Sequence, residues 1–277
     1  MSIKTYLKRG AIYVMKGNPQ KNVIAQITYS SPNERLKGKK IIITGGGRGL
    51  GLAMAKRFTE EGADVLISGR NETTLKEAAN NIGCKYMALN VQDTTTFNTF
   101  INNANDILGG VNCLVNNAGI SLHEPTFFDV TPESFDSQIA TNLRGSFFLT
   151  QSFTKLLIRE NRKGSVLFIS SETGETADIR PYGFTKAAVN SMVQGLASLF
   201  ISKGIRVNAV APGITASDMT GFNVNDNLFI NDRASERIYL PEEVAETACF
   251  LLSDCYGCIS GQIIVCNNGK TINTRWK

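Results

Sequence analysis

Short runs of aliphatic and β-branched residues recur along the chain, separated by longer stretches in which apolar positions return every three or four residues. The runs are Lys40–Gly45 (KIIITG), Asp64–Gly69 (DVLISG), Lys85–Asn90 (KYMALN), Asn112–Asn117 (NCLVNN), Ser165–Ser170 (SVLFIS), Ile205–Val210 (IRVNAV) and Gln262–Asn267 (QIIVCN). Most are apolar at consecutive positions rather than alternate ones, the pattern of strands buried on both faces of a parallel sheet. The stretches between them predict helices, and three carry start signals. Asn71 is placed to cap a helix through Asn80, and Thr131-Pro132-Glu133 supplies a cap, a first-position proline and an acidic first turn. Pro241-Glu242-Glu243 opens a helix through Leu252 in the same way. Seven strands alternating with six helices predict an α/β fold, a doubly wound parallel sheet (Rossmann fold) with helices on both faces, in a single domain.

Composition narrows the class without naming it. A chain of 277 residues, 42% hydrophobic and 19% charged, suits a soluble globular protein. At this size a core is buried without disulfide or metal staples. No apolar run approaches the roughly 18–20 residues of a membrane span, and Ala11–Met15 is too short for a secretory signal. Cys84, Cys113, Cys249, Cys255, Cys258 and Cys266 are scattered through predicted elements and read as free thiols in a reducing cytoplasm. Cys255 and Cys258 form a C-x-x-C without a second pair, and the single histidine, His123, lies far upstream, so no metal site is expected. The net charge of +5 is concentrated at one end: residues 1–40 hold nine basic side chains against the lone Glu34. A basic N-terminal extension, residues 1–37, therefore precedes a predicted domain of residues 38–277. It contains no dense run of like charge, which favours a solvated extension over a nucleic-acid or membrane contact.

Two constellations carry candidate chemistry. The first strand runs into TGGGRGLG, Thr44–Gly51, followed by a helical pattern ending near Glu61. Glycines between a strand and a helix let backbone N–H groups close on a pyrophosphate at the helix N-terminus. About twenty residues beyond such a motif an NAD site usually carries a carboxylate. Here Val65–Asn71 holds none, Arg70 stands in that stretch, and Arg48 lies within the glycine motif. Two guanidinium groups suit a 2′-phosphate, so NADP(H) is expected in preference to NAD(H). In the second constellation Tyr182 and Lys186, four residues apart, share one face of a predicted helix.

The spacing Thr44-Gly45-x-x-x-Gly49-x-Gly51 resembles the short-chain dehydrogenase/reductase family, and the resemblance continues in order along the chain. It is carried by NNAG (Asn116–Gly119), TNLRG (Thr141–Gly145), ISSETG (Ile169–Gly174), Tyr182-x-x-x-Lys186, APGIT (Ala211–Thr215), PEEVA (Pro241–Ala245) and SGQIIVCNNG (Ser260–Gly269). It covers roughly Lys39 to Gly269 and is nearest in pattern to the 3-oxoacyl-acyl carrier protein reductases.

The resemblance implies an NADP-dependent oxidoreductase acting on a ketone or secondary alcohol, with Asn142, Ser171, Tyr182 and Lys186 catalytic. It implies a cofactor held by Gly45, Gly47, Arg48, Gly49, Leu50, Gly51, Arg70, Asn90, Val91, Asn117, Ala118, Gly119, Pro212, Gly213, Ile214 and Thr215, with Tyr182 and Lys186 again. It also implies a homotetramer or homodimer. Lys186 and an oxidised nicotinamide are expected to lower the Tyr182 pKa toward neutrality. Ser170 competes with Ser171 for the serine role, because the interval to Tyr182 is shorter than is usual in the family. The substrate segment is expected at Ala216–Arg237, His123 on a loop rimming the pocket, and Arg180 as a solvated loop residue within reach of an anionic substrate. The rival reading is a catalytically silent nucleotide-binding scaffold whose basic extension meets an anionic partner.

Overall fold

The computed structural model describes residues 33–230 and 236–272. The basic extension, apart from its last few residues, and part of the expected substrate segment thus lie outside the described residues. Seven strands form one sheet: β1 (Lys40–Thr44), β2 (Asp64–Gly69), β3 (Lys85–Ala88), β4 (Cys113–Asn116), β5 (Gly164–Ile169), β6 (Ile205–Pro212) and β7 (Ile263–Cys266). Their order is β3-β2-β1-β4-β5-β6-β7 and every pairing is parallel. All seven expected runs became strands. The first, third, fourth and seventh are shorter than their apolar runs, and the sixth extends two residues further, to Pro212.

The consecutive apolar positions have a direct cause. Neighbouring residues of a strand point to opposite faces, and both faces of β1 are covered. Ile41 and Ile43 pack with Met54 and Phe58 of α1 (Gly49–Glu60) and Val244 and Ala248 of α7 (Pro241–Leu252). Ile42 packs on the other side, with residues of α3 (Phe97–Leu108), α5 (Ser146–Arg159) and α6 (Pro181–Phe200), among them Phe97, Phe153 and Val189. Each fully buried side chain of this size contributes about 1.5–3 kcal/mol.

The start signals act as the sequence implied. The Asn71 side chain accepts from the Thr74 N–H at 3.0 Å and opens α2 (Glu72–Ile82), which ends at Gly83 in the left-handed conformation. Thr131 caps α4 (Pro132–Gln138), and Glu243 accepts from the Leu240 N–H at 2.8 Å at the head of α7.

One connection departs from a plain helix. Between α4 and α5 the rod passes through a π-helical segment, Ile139–Gly145, which carries Asn142. Gly145 lies so close to the preceding crossover that a Cβ there would stand 2.3 Å from the Val91 carbonyl oxygen. The wider π turn and the missing side chain together let the rod lean on that loop.

Among the described residues, packing begins upstream of β1. Leu36 is fully buried and its N–H donates to the Glu61 carbonyl at 2.9 Å. The buried Glu61 carboxylate receives Arg35 and Arg57, which also reach Glu246 on α7. Among the described residues no helix is long and apolar enough to cross a membrane, and all six cysteines are free thiols.

Candidate active site

In a parallel sheet the loops that follow the strands gather at one edge, and a ligand crevice opens where the order reverses, here between β1 and β4. The turn after β1 is tightly built. Gly45 and Gly49 have φ of +66° and +53°, a region costly for any residue with a Cβ. A Cβ on Gly51 would stand 2.1 Å from the Gly45 carbonyl oxygen, so only glycine lets α1 begin against the end of β1. Helix α1 has no side-chain cap at Arg48 and no acidic residue in its first turn. Its leading N–H groups, including that of Leu50, are thereby left for an anion, and a dinucleotide pyrophosphate fits this cradle. Gly47 packs over Thr74 and Leu75 of α2.

Thr44 joins this turn to the end of β4. Its hydroxyl accepts from the N–H groups of Asn117 and Ala118 at 3.1 and 3.0 Å. Asn117 returns its amide to the carbonyls of Thr44 and Gly45 at 2.9 and 3.1 Å. Gly119 follows, lying between Asn142 Oδ1 and Lys186 Nζ. Val91 is buried, whereas Asn90 is exposed and its Oδ1 accepts from the Gln92 N–H at 3.1 Å. After β6, which ends at Pro212, Gly213 sits against the Tyr239 ring, Ile214 accepts from the Tyr239 N–H, and Thr215 is buried. Arg70, just past β2, is exposed and makes no hydrogen bond or ion pair with another described residue. Arg48 pairs with Asp218 at 3.1 Å, both side chains largely exposed.

Helix α6 brings Tyr182 and Lys186 together. Lys186 is buried, its Nζ donating to the Ile169 carbonyl at the end of β5 at 2.8 Å and lying 5.4 Å from the Tyr182 ring centre. Burial pushes the Lys186 ammonium down to about 8. Tyr182 is partly exposed, and its phenol interacts with the Ser171 hydroxyl at the end of β5. Burial raises the Tyr182 phenol, with the Ser171 hydroxyl and the Arg180 charge opposing the rise. The expected lowering toward neutrality is therefore not a property of the protein alone. The Lys186 cation is directed to the Ile169 carbonyl, and desolvation of the phenol outweighs the neighbouring donors.

The two serines separate cleanly. Ser170 is buried and donates to Asn190 Oδ1 at 2.6 Å, inside the packing of α6 on β5. Ser171 instead caps a short turn, Glu172–Glu175, and meets Tyr182. Asn142 clamps the loop after β4: its amide donates to the Ile120 carbonyl at 2.9 Å and its Oδ1 accepts from the Ile120 N–H at 2.8 Å. The amide also reaches the Thr185 hydroxyl at 3.2 Å. The π segment thus ties the rim of the site to α6.

Arg180 is partly solvated but held in place. Its Nε and Nη2 both lie 2.9 Å from the carboxylate of Asp178, which is itself buried. His123, with φ of +53°, reaches the Met219 carbonyl at 2.7 Å and links the loop after β4 to the start of the substrate segment. Three further residues at the site escaped sequence reasoning, Asp178, Glu124 and Gln138, and Thr44 was read only as part of the glycine motif. Glu124 and Gln138 are both buried and bonded at 2.6 Å. Thr44 was legible as the last residue before the first glycine; the others gave no signal, because their partners are set by loop conformation.

A family model described as Enoyl-(Acyl carrier protein) reductase matches residues 45–271. The chain is 31% identical to the 3-oxoacyl-[acyl-carrier-protein] reductase of Aquifex aeolicus, covering 85% of this chain and 98% of that one. It is 34% identical to a 3alpha-hydroxysteroid dehydrogenase of Mediterraneibacter gnavus, over 83% and 95% of the two chains. With the gluconate 5-dehydrogenase of Gluconobacter oxydans it shares 30% identity over 86% and 96%. The crystal structure of gox2181 superposes with a TM-score of 0.80 at 27% identity, covering 87% of this chain and 99% of that one.

The buried ammonium has a measurable consequence. Its folded value, about 8, lies below the ordinary 10.5. The charged form is therefore penalised below pH 8, by on the order of 3 kcal/mol, and the penalty fades as the pH rises toward 10.5. Denaturant unfolding of the wild type and Lys186→Met at several pH values checks this. The wild type is expected to gain stability relative to the variant between pH 8 and 10. A constant gap across that window would contradict it.

Proposed function

The chain belongs to the short-chain dehydrogenase/reductase family, and from that premise we propose that it interconverts a ketone and a secondary alcohol with NADP(H), Tyr182 giving and taking the proton. Relatives of this chain are oxidoreductases, and the family uses nicotinamide cofactors. The observation that carries the reading is the Ser171–Tyr182 hydroxyl pair set beside a buried lysine.

When bound, the nicotinamide supplies or receives the hydride. The protein does the rest. Ser171 donates a hydrogen bond to the substrate oxygen, and Tyr182 delivers its phenolic proton to that oxygen as the carbon is reduced. Lys186 stabilises the tyrosinate left behind, which regains a proton from solvent. Asn142 holds the loop that faces the reacting group. Turning the same residues round gives alcohol oxidation, with tyrosinate as the base. Keeping Asn142, Ser171, Tyr182 and Lys186 together speaks against the silent-scaffold reading, since nucleotide binding alone needs no hydroxyl pair. An expected cytoplasmic location accords with the six free thiols.

Tyr182→Phe removes only the hydroxyl and leaves the ring and Lys186 in place. Its turnover of any ketone the wild type reduces is expected to fall about 10²–10⁴-fold, with NADPH binding retained. A variant keeping more than about a tenth of wild-type turnover at every pH would remove Tyr182 from the role. If the wild type bound NADPH but reduced no ketone or thioester in a broad panel, the scaffold reading would replace this one.

Preference for NADP(H) is supported by Arg70, exposed and without a partner among the described residues, and by Arg48 at the glycine turn. Each offers planar donors to a 2′-phosphate. The ratio of kcat/KM for NADPH over NADH is expected to exceed one, to fall in Arg70→Ala and to fall further with Arg48→Ala added. Equal use of both cofactors, or a ratio indifferent to both changes, would refute the assignment.

A homodimer or homotetramer is supported by an apolar strip on α5 and α6. Phe147, Phe148, Phe184 and Leu199 are all exposed there, and Phe147, Phe148 and Leu199 line one groove with Met192 and Leu196, the kind of apolar surface that marks an interaction site. Sedimentation should give a multiple of 30.2 kDa; a monomer at micromolar concentration would reject it.

A further inference from the structure

Arg180 stands at the head of α6, two residues before Tyr182, and its guanidinium is held rather than free. Nε and Nη2 are spent on Asp178, whose Oδ1 also accepts the N–H groups of Ile179 and Arg180 at 2.8 and 3.1 Å. Asp178 in turn packs on Gly183, where a Cβ would stand 2.3 Å from the Asp178 Cβ. The Asp178 side chain is 8% exposed and that of Arg180 39%, so the anchor is inside and the guanidinium looks outward. Its third nitrogen, Nη1, has no acceptor among the described residues. The Arg180 charge also interacts electrostatically with the Glu124 carboxylate and with the Tyr182 phenol.

Resting on the proposed ketone chemistry, we infer that Arg180 determines substrate specificity. Its fixed Nη1 edge donates to a second, uncharged oxygen of the substrate, close to the carbonyl that Tyr182 protonates. A guanidinium pinned by two of its nitrogens loses little freedom when the third binds, which makes it a ready donor. Its charge, however, is already matched by Asp178, with the Glu124 carboxylate nearby. A carboxylate or phosphate on the substrate would bring a third anion to one cation and be repelled. A hydroxyl or a second carbonyl takes the N–H without that repulsion. The substrate class is therefore a neutral, oxygen-rich ketone such as a hydroxyketone or keto-polyol, not a plain acyl or ring ketone.

The test compares kcat/KM of the full-length enzyme with NADPH for hydroxyacetone, butanone and pyruvate. Butanone replaces the hydroxyl with a methyl group, and pyruvate places a carboxylate there. The wild type is expected to favour hydroxyacetone over butanone by about 10-fold or more, as sites built to bond a substrate oxygen discriminate against analogues lacking it. Pyruvate should fall below hydroxyacetone. In Arg180→Leu the hydroxyacetone-to-butanone ratio should fall to near one, and Arg180→Gln, which keeps N–H donors, should retain part of it. Any effect on Tyr182 common to all ketones cancels in the ratio, and NADPH binding by each variant reports that it is folded. A wild type that reduces butanone or pyruvate at least as well as hydroxyacetone, or a ratio unmoved in both variants, overturns the inference and leaves the ketone reading standing. A wild type that reduces none of these and no larger ketone overturns both.

Discussion

Lys186 Nζ, buried at the end of β5 with the Ile169 carbonyl as its hydrogen-bond acceptor, is the interaction on which the rest of the site turns. A cation so placed is costly to the folded protein, as its lowering to about 8 records. It is held there by the packing of α6 on β5 and β6, which also fixes Tyr182 one turn away and Ser171 at the strand's end. The cost has a use in the proposed chemistry. A desolvated ammonium interacts more strongly with a nearby tyrosinate than a hydrated one would. Stability and activity thus pull Lys186 in opposite directions.

The fold supplies that arrangement through a few close backbone approaches. Gly51 against Gly45 starts α1 at the lip of the sheet, and the Thr44 hydroxyl fixes the loop after β4 beside it. Gly145 against Val91, with the π segment around it, sets the position from which Asn142 clamps Ile120. Each contact joins two strand ends or a strand end and a helix. The crevice is therefore shaped by the same pieces that close the core, while Asp218 and Met219 are tied to its rim by the contacts Arg48–Asp218 and His123–Met219.

Much of this was legible in the sequence, for identifiable reasons. Ile41, Ile42 and Ile43 announced a doubly covered strand because periodicity records which faces are buried. Asn71, Thr131 and Pro241 announced helix starts because capping is local chemistry. The different surroundings of Ser170 and Ser171 were not legible: both are strand-end serines, and the turn at Glu172–Glu175 sends one to Asn190 and the other to Tyr182. The Asp178–Arg180 fork was hidden for a similar reason, since two residues of a loop meet or miss according to its path. The π segment left no mark in the apolar spacing of Pro132–Arg159. That burial raises the Tyr182 phenol in the free protein was not legible, because proximity in sequence gives distance but not desolvation.

The account rests on Tyr182 being a poor acid in the free protein and a better one once a positive nicotinamide lies beside it. The direct measurement is an ultraviolet difference titration of the wild type against Tyr182→Phe, with and without oxidised cofactor. Without cofactor the tyrosine is expected to ionise above the ordinary phenol value of about 10, and with it the titration should move down toward neutrality. A titration of Tyr182 that is already low in the free protein, or that the oxidised cofactor leaves unmoved, would contradict the account.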